Sequence, residues 1–232
     1  MMDKKQSLDY DNYSLSKDFL TFALENDILR FGKFKTKAGR ESPYFFDMGR
    51  FSNSKLLAKL GKFYSRKIVN VEDNFNLKAD CLFGPAYKGI PIVCSTAIAH
   101  ENIKSLEFAY NRKERKQHGE LGSIVGKLEK KNILIIDDVI SAGLSVLESI
   151  EIIRQEGGVP IGVIIALNRM ERSINEAGRE NLIASEEITK KTNVPIFSIS
   201  GITDLKKILI SQNSNQSEHQ LQKLNDYLEK WG

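Results

Sequence analysis

Short apolar runs alternate along the chain with longer stretches whose apolar side chains recur at helical spacing. The short runs lie near residues 81, 106, 133, 160 and 195, and the run at 133–136 is rich in β-branched residues. Such runs predict strands that are buried on both faces, as in a parallel sheet. Helical patterns lie between most of them, so the pattern predicts an α/β fold with about five mostly parallel strands flanked by helices.

The clearest unit of this pattern spans residues 132–145. The apolar run Ile133–Ile136 ends in two adjacent acids, Asp137 and Asp138, and a loop of small residues then precedes a helical pattern closed by Gly157 and Gly158. A helix N-terminus with unpaired N–H groups and a positive dipole suits a phosphate. The carboxylates suit ribose hydroxyls or Mg²⁺. A simple helix cap, or the acidic strand end of a phosphorelay receiver domain, would produce a similar pattern.

The two ends of the chain predict further elements beside the sheet. Residues 1–13 are polar and without a period, and we expect them to form a mobile extension. A helix capped by Ser14 or Ser16 is expected to run to about Leu29, followed by two short strands between residues 34 and 47. Ser185 is expected to cap a later helix, and a terminal helix is expected over residues 221–231, with residues 211–218 unassigned.

Composition narrows the class of protein. The net charge is +4 and acids and bases are mixed along 232 residues, so basicity alone is weak support for nucleic-acid binding. Cys81 and Cys94 lie in apolar segments, where reduced core cysteines of a cytosolic protein are expected. The histidines show no zinc spacing with them. The absence of a long apolar span or a signal peptide in the given sequence predicts a soluble, cytoplasmic protein.

Two further loops carry candidate chemistry. Residues 84–89 form a glycine turn between a strand and a helix, with Lys88 as a point charge for a phosphate, although the chain lacks the Walker A pattern. Residues 112–120 hold four cations and a histidine followed by a glycine. This charge run predicts a solvated loop, a weak nucleic-acid patch or a lid over a polyphosphate.

Four segments in sequence resemble one known family. They are residues 37–46 (KAGRESPYFF), 83–91 (FGPAYKGIP), 111–120 (NRKERKQHGE) and 136–145 (IDDVISAGLS). The last resembles the phosphoribosyl diphosphate (PRPP) motif of type I phosphoribosyltransferases, and the four together resemble the bacterial orotate phosphoribosyltransferases from about Phe19 to about Leu209. The resemblance implies Mg²⁺-dependent transfer of ribose 5-phosphate from PRPP to orotate, in pyrimidine biosynthesis.

The resemblance also assigns roles to residues. Asp137 and Asp138 would bind the ribose hydroxyls, and Lys116 would matter most in the transition state. Arg169 would clamp the orotate carboxylate, with Phe45, Phe46 and Ser141 around the base; two adjacent aromatics in a strand also commonly pack a core, and both statements can hold. The PRPP contacts implied are Lys37, Tyr87, Lys88, Arg112, Lys113, Lys116, His118, Asp137, Asp138, Val139, Ile140, Ser141, Ala142, Gly143, Leu144 and Ser145.

Assembly and domain organisation are implied in the same way. Members of the family are homodimers, in which the loop that corresponds to residues 112–120 closes over the site of the neighbouring subunit. Residues 14–232 would form one domain, with a hood from about residues 14–50 and C-terminal segments over a core of about residues 51–210. No metal site made by the protein alone is expected, because Mg²⁺ would be held mainly through PRPP.

Two departures and two alternatives remain at this stage. The family usually has Thr where this chain has Ser141, and often Thr near Leu144; the hydroxyl and the backbone N–H are retained. A phosphoribosyltransferase for another base would share the PRPP motif but has no reason to contain both residues 37–46 and Arg169. A PRPP-sensing RNA-binding regulator would need a broad basic face, whereas the cations here concentrate in one loop.

Overall fold

The structure is a computed structural model that describes residues 4–36, 39–113, 123–140, 143–172 and 182–232, with side chains described from residue 12 onward. Along these residues the chain forms, in order, α1 (Lys4–Glu25), β1 (Leu29–Lys35), β2 (Glu41–Phe46), a 3₁₀ turn (Met48–Arg50), α2 (Ser54–Phe75), β3 (Cys81–Gly84), α3 (Gly89–His100), β4 (Glu107–Asn111), β5 (Ile124–Val125), β6 (Asn132–Val139), α4 (Leu144–Gln155), β7 (Val159–Asn168), α5 (Ala184–Thr192), β8 (Ile196–Gly201), α6 (Ile202–Gln212) and α7 (Asn215–Trp231).

The central sheet has the strand order β5-β4-β3-β6-β7-β8. All neighbours are parallel except β4 and β5, which pair antiparallel through Tyr110–Val125 and Asn111–Ile124. The five predicted parallel strands are therefore confirmed. The short β5 was not predicted, because two residues are too few to show a period.

Both faces of the sheet are buried at its centre, as the uninterrupted apolar runs of β3 and β6 predict, whereas Phe108 of the outer strand β4 is 42% exposed. Successive side chains of a strand point to opposite faces, so Leu134 and Ile136 of β6 pack on one side with α1, α2, α3 and α6. Ile133 and Ile135 pack on the other side with α4 and α5. The sheet is thus a middle layer whose strand ends are left for a site.

The start of the first helix differs from the sequence prediction. α1 begins at Lys4, so neither Ser14 nor Ser16 is its cap, and it ends at Glu25 because Leu29 already belongs to β1. Ser16 instead donates its hydroxyl to Asp204 Oδ2 at 2.7 Å. Further along α1, Asn12 Oδ1 accepts from Lys67 Nζ of α2 at 2.9 Å, so polar contacts between elements help to hold this helix.

The predicted hairpin is a separate two-stranded antiparallel sheet. β1 and β2 pair with Arg30 opposite Phe45, and the register shifts between Phe31 and Phe34. Tyr44 and Phe46 of β2 are buried, whereas Phe45 is 39% exposed, as alternation along a strand requires. The last helix, α7, packs against β2.

The C-terminal helices also begin at residues other than those predicted. α5 starts at Ala184, and the residue at its N-cap position is Ile183, which makes no side-chain cap hydrogen bond. Ser185 therefore lies inside the helix and does not cap it. α7 starts at Asn215, where the hydroxyl of Ser214 accepts from Ser217 N in a capping box. Within the described residues, no helix combines the length and the apolar character that crossing a membrane requires.

Candidate active site

The sequence-predicted loops meet at one edge of the sheet. Parallel strands that lie side by side end at the same edge, and ligands of open α/β sheets bind beyond their carboxyl ends. Lys88 follows β3, Arg112 follows β4, Asp137 and Asp138 lie near the end of β6, and Arg169 follows β7. Because β4, β3, β6 and β7 are consecutive in the sheet, all of these residues lie at the same edge.

The carboxylate pair is buried and tightly hydrogen bonded. Asp137 and Asp138 are each 6% exposed. Asp137 accepts from Asp138 N at 2.9 Å and from the Ser145 hydroxyl at 3.2 Å. Its backbone carbonyl accepts from the Tyr64 hydroxyl at 2.6 Å, which anchors the strand end to α2.

The two acids differ in their partners. Asp138 Oδ2 accepts from Lys88 Nζ at 2.9 Å, whereas Asp137 has no cation in direct contact among the described residues. Burial first, and then the neighbouring Asp138 charge, raise the pKa of Asp137 to about 7, against the smaller opposing effect of Lys88. At neutral pH the pair therefore offers one ion-paired carboxylate and one that titrates.

The Lys88 loop owes its shape to two glycines and to a side chain on the next strand. A Cβ on Gly84 would lie 2.3 Å from the Gly89 carbonyl oxygen, so a side chain cannot be added without moving the backbone. Asn111 Oδ1 accepts from Ala86 N at 2.8 Å and ties the loop to the end of β4. The Lys88 side chain remains 60% exposed, so it can reach a ligand from its position on Asp138.

The N-terminus of α4 follows a glycine whose backbone conformation would be strained for any other residue. Gly143 has φ 75° in the left-handed region, and a Cβ there would lie 2.4 Å from Ile188 Cδ1 of α5. The side chain of Leu144 is exposed, and that of Ile140 is buried in the core. The N–H of Val139 is held by Asp138 Oδ1 at 2.8 Å. Ser141 and Ala142 lie outside the described residues.

The charged loop after β4 is described only at its start. Arg112 N donates to Ser123 O at 2.6 Å. Lys113 Nζ lies 5.4 Å from the centroid of the exposed Tyr87 ring, so this cation stands beside the Lys88 loop. Lys116, His118 and Lys37, to which the resemblance assigns PRPP contacts, lie outside the described residues.

Arg169 lies in a buried cluster at the end of β7. Its Nε donates to Glu171 Oε1 at 2.7 Å, and Nη2 forms an ion pair with the same oxygen at 2.6 Å while donating to Ser42 Oγ at 3.2 Å. The guanidinium carbon lies 4.4 Å from the centroid of the Tyr44 ring. The structure thus joins Arg169 to the predicted segment 37–46.

The two phenylalanines of that segment have different surroundings. Phe46 is 6% exposed and its ring centroid lies 6.1 Å from that of Phe19 in the core. Phe45 stacks on Phe34 at 5.3 Å between centroids. The side chain of Phe46 therefore packs in the core, whereas that of Phe45 stacks on Phe34 and is 39% exposed. The contact of their backbone groups with a base, which the resemblance implies, stays a prediction.

Several residues at this edge were not singled out from the sequence. Tyr64, Asn111, Glu171 and Tyr227 each make a hydrogen bond that holds part of the site. Asn111 belonged to a quoted motif, and Glu171 follows Arg169 by two residues, so proximity to a motif was an available signal. No local signal exists for Tyr64 or Tyr227, which come from distant helices.

The donor set at this edge fits a metal only in part. Carboxylate oxygens suit Mg²⁺, and Asp137 and Asp138 supply them. Among the residues that the structure describes, however, no group of three or more His, Cys, Asp or Glu side chains is placed to hold a metal. The pair therefore fits a magnesium ion that takes most of its ligands from a bound polyphosphate and water.

Comparison with known proteins agrees with this geometry. The model of the phosphoribosyl transferase domain family matches residues 50–189. The orotate phosphoribosyltransferase of Polynucleobacter necessarius is 43% identical over 222 residues, which are 95% of this chain and 98% of that protein. That of Laribacter hongkongensis is 48% identical over 190 residues, or 82% of this chain and 85% of that protein.

A solved structure is similar in fold over almost the whole chain. It is the crystal structure of orotate phosphoribosyltransferase from Francisella tularensis, with a TM-score of 0.77 and 32% sequence identity. The similarity covers 93% of this chain and 99% of that one.

Proposed function

The chain belongs to the phosphoribosyl transferase domain family and, within it, to the orotate phosphoribosyltransferases, and we propose on that basis that it converts PRPP and orotate to orotidine 5′-monophosphate and pyrophosphate. This is a reaction of pyrimidine biosynthesis. The bond between C1 of the ribose and the pyrophosphate oxygen breaks, a bond from C1 to N1 of orotate forms, and the N1 proton is released.

One observation carries the proposal: the acid pair, the glycine-started helix and a buried arginine follow adjacent strands at one edge of the sheet. Asp137 and Asp138 lie near the end of β6, and Gly143 immediately precedes α4, the next helix in the chain. Arg169 follows β7, which pairs with β6. A sugar phosphate and an anionic base can therefore bind side by side.

The chemistry asks the protein mainly for orientation and charge. Departure of pyrophosphate develops positive charge on the ribose, and a covalent nucleophile is not required. In this proposal the loop at residues 141–145 holds the 5-phosphate, and Asp137 and Asp138 hold the ribose hydroxyls. The leaving pyrophosphate is held, together with Mg²⁺, by Lys88, Arg112, Lys113, Lys116 and His118. Lys37 and Tyr87 are proposed as further contacts to PRPP.

The base is proposed to bind at Arg169. A guanidinium binds a carboxylate through several donors at fixed angles, which a lysine does not. Its burial and its position beside β2 support a site for a flat anionic ring bordered by the backbone of Phe45 and Phe46 and by Ser141. A neutral purine would have no use for this arginine, which disfavours the alternative of another base.

Magnesium completes the proposed site. Enzymes of this family generally use Mg²⁺ with PRPP, and here Asp137 and Asp138 would reach it beyond the ligands that PRPP supplies. When bound, the ion neutralises charge on the pyrophosphate and helps to orient it. The protein residues still have to bind the two substrates, orient them and exclude water from the site.

The lid and the assembly remain proposals from the family resemblance. We propose a homodimer in which residues 112–120 close over the neighbour's site and Lys116 engages the transition state. We also propose a single domain over residues 14–232, after the extension at 1–13. Its hood would be formed from about residues 14–50 with C-terminal segments, over a core of about residues 51–210. The packing of α7 against the β1–β2 hairpin supports that division.

A cytoplasmic location belongs to the same proposal. Cys81 and Cys94 are both free thiols in the described structure, and burial raises the pKa of Cys81 to about 12. Unpaired, unreactive cysteines are typical of proteins from a reducing compartment.

The test is consumption of orotate in the presence of PRPP and Mg²⁺, with adenine, hypoxanthine and uracil as competing bases. Turnover of orotate alone, lost on chelation of the metal, is the expected result. Turnover of a different base would retain the PRPP site and refute the assignment of Arg169. Binding of PRPP without turnover of any base would support the regulator alternative instead.

A further inference from the structure

Arg169 is fixed on several sides by residues from β2, from α7 and from the segment just after β7. The ring of Tyr44 from β2 covers one face of its guanidinium at 4.4 Å. Ser42, also from β2, accepts from Nη2 at 3.2 Å. Glu171 accepts from Nε through one oxygen, Oε1, which also forms an ion pair with Nη2. The same oxygen accepts the hydroxyl of Tyr227 from α7 at 2.7 Å.

The donors of this guanidinium can be counted. Of its five N–H groups, those on Nε and Nη2 are directed at Glu171 and Ser42. The Tyr227 hydroxyl also interacts directly with this guanidinium. Nη1 is the nitrogen that takes no part in the contacts with Glu171 and Ser42, so we infer that its N–H groups are the donors left for a ligand. Glu171 holds the edge of the guanidinium that carries Nε and Nη2. It therefore sets the direction in which Nη1, at the opposite edge, points.

The carboxylate of Glu171 can set the direction of Arg169 only if the carboxylate is itself held in place. It is 5% exposed, and its second oxygen, Oε2, has only a long contact of 3.5 Å with Arg40 Nη1. The Tyr227 hydroxyl is the short hydrogen bond that Glu171 receives from outside the arginine pair. Burial raises the pKa of Tyr227 above its usual value, so the hydroxyl keeps its proton and remains a donor.

We infer that Tyr227, acting through Glu171, is a positioning residue for the base site: the terminal helix fixes the carboxylate that aims Arg169 at the carboxylate of the base. This inference rests on the proposed function. It gives α7 a part in the recognition of orotate, although the helix follows the last strand of the sheet. Glu171 and Tyr227 have no direct contact with substrate in this account.

The end of α7 is tied to the same region by independent contacts. The N–H of Arg172 donates to the backbone oxygen of Trp231 at 2.7 Å. The guanidinium carbon of Arg40 lies 4.8 Å from the centroid of the Trp231 ring. Arg40 also donates to the Arg172 carbonyl at 2.8 Å. The position of the Tyr227 hydroxyl is thus determined by the docking of the whole helix end.

The test is Tyr227→Phe in the full-length enzyme, with KM for orotate, KM for PRPP, kcat and the thermal midpoint measured together. The ring and its packing are retained and one hydrogen bond to a charged group is lost, so we expect KM for orotate to rise roughly fivefold to tenfold. KM for PRPP and kcat should stay within about twofold, because the PRPP loops do not contact Tyr227 in the described structure.

Leu224→Val is the matched control. Leu224 is fully buried on the same helix and belongs to the core rather than to the Glu171 cluster. Its shortening should lower the thermal midpoint and leave KM for orotate unchanged. An equal rise of KM in both variants would assign the effect to loose docking of the helix and overturn the inference.

Failure of the inference and failure of the proposed function give different results. An active wild type with an unchanged KM for orotate in Tyr227→Phe would refute the positioning role alone. A wild type that does not turn over orotate would refute the proposed function and the inference with it.

Discussion

Arg169 shows at the scale of one residue why a buried ion pair changes the choice of mutation. Removal of its side chain would leave the Glu171 carboxylate buried without its cation, at a cost of about 3–5 kcal/mol, so an alanine variant would confuse binding with folding. Arg169→Lys keeps the positive charge and loses the planar fork. We expect KM for orotate to rise about tenfold or more, with KM for PRPP within about twofold.

The control for this variant is Arg154→Lys, at the end of α4 remote from the helix start that is proposed to bind phosphate. Arg154 is exposed and donates to the Thr192 carbonyl at 2.8 Å. Its replacement should leave both Michaelis constants unchanged. Equal losses for orotate and PRPP in Arg169→Lys would contradict the assignment of the arginine to the base.

Asp137 makes the stability of the protein depend on pH. Burial and the Asp138 charge raise its pKa from 3.8 to about 7 in the folded protein, so the folded state favours the protonated form. Its contribution to stability is fully present below about pH 4 and is lost as the pH rises through about 7. Asp137→Asn should therefore gain on the order of 2–4 kcal/mol relative to wild type between pH 4 and pH 8.

Urea unfolding of both proteins across that range measures this gain. Asp226→Asn, at an exposed position of α7, is the reference and should change the unfolding free energy by less than about 0.5 kcal/mol. If the wild-type and Asp137→Asn curves run parallel with pH, the burial of a titrating carboxylate is refuted.

Residue types at the site were predictable because their spacing is local. Two acids at a strand end, a glycine before a helix and an arginine after a strand can each be recognised within a few residues. The hydrogen bond from Tyr227 to Glu171 spans 56 positions, and the bond from Tyr64 to the Asp137 carbonyl spans 73. Such contacts depend on tertiary packing, which no local pattern contains.

At the scale of an element, the start of α4 depends on a glycine for two reasons. Gly143 has φ 75°, and an added Cβ would approach Ile188 Cδ1 to 2.4 Å. Gly143→Ala should cost about 2–4 kcal/mol, combining left-handed strain with overpacking, and should raise KM for PRPP because the helix start moves. Thermal unfolding and PRPP kinetics measure the two effects.

Two companion variants separate these causes. Gly157 at the end of α4 has the same φ of 75°, but its nearest neighbour would be 3.4 Å from an added Cβ, so Gly157→Ala carries the backbone strain alone. Introducing Ile188→Val beside Gly143→Ala removes the atom nearest the added Cβ and should recover most of the remaining loss. No recovery in the double variant would mean that α5 does not limit this position.

Lys67 ties the first helix to α2 at an electrostatic cost. The side chain is buried, and burial lowers its pKa from 10.5 to about 8, although Asp204 opposes the shift. The unfolded chain binds the proton more tightly, so stability rises with pH between about 8 and 10.5. Lys67→Met should therefore stabilise the protein by roughly 1–3 kcal/mol at pH 7, and by less at pH 10.

Lys62→Met is the matched control, since Lys62 lies on the exposed side of the same helix. It should change the unfolding free energy by less than about 0.5 kcal/mol at either pH. A Lys67→Met variant less stable than wild type at pH 7 would mean that the hydrogen bond to Asn12 outweighs the desolvation of the ammonium.

The position of an element was predictable where its sequence has an apolar pattern. It was not predictable where polar contacts with other elements hold the element instead. The sheet strands follow from apolar runs alone. The sequence at the start of α1 has no apolar period. Further along this helix, Asn12 and Tyr13 contact Lys67 and Lys207 from other helices. The start of α7 was missed because Ser217 stands where a capping box commonly has Glu or Gln.

At the scale of the whole molecule, the proposed shared lid can be tested by mixing two inactive variants. Lys116→Ala would damage the lid that a subunit lends to its neighbour, whereas Asp138→Asn would damage the subunit's own ribose site. After subunit exchange, a mixed dimer would contain one site with a native lid and native acids, so an equal mixture should regain about a quarter of wild-type activity. Each variant carried alone through the same exchange should stay inactive.

A mixture no more active than its components would mean that Lys116 and Asp138 serve the same site from one subunit, or that the subunits do not pair. Sedimentation at the assay concentration distinguishes these two cases, because only the first leaves a dimer.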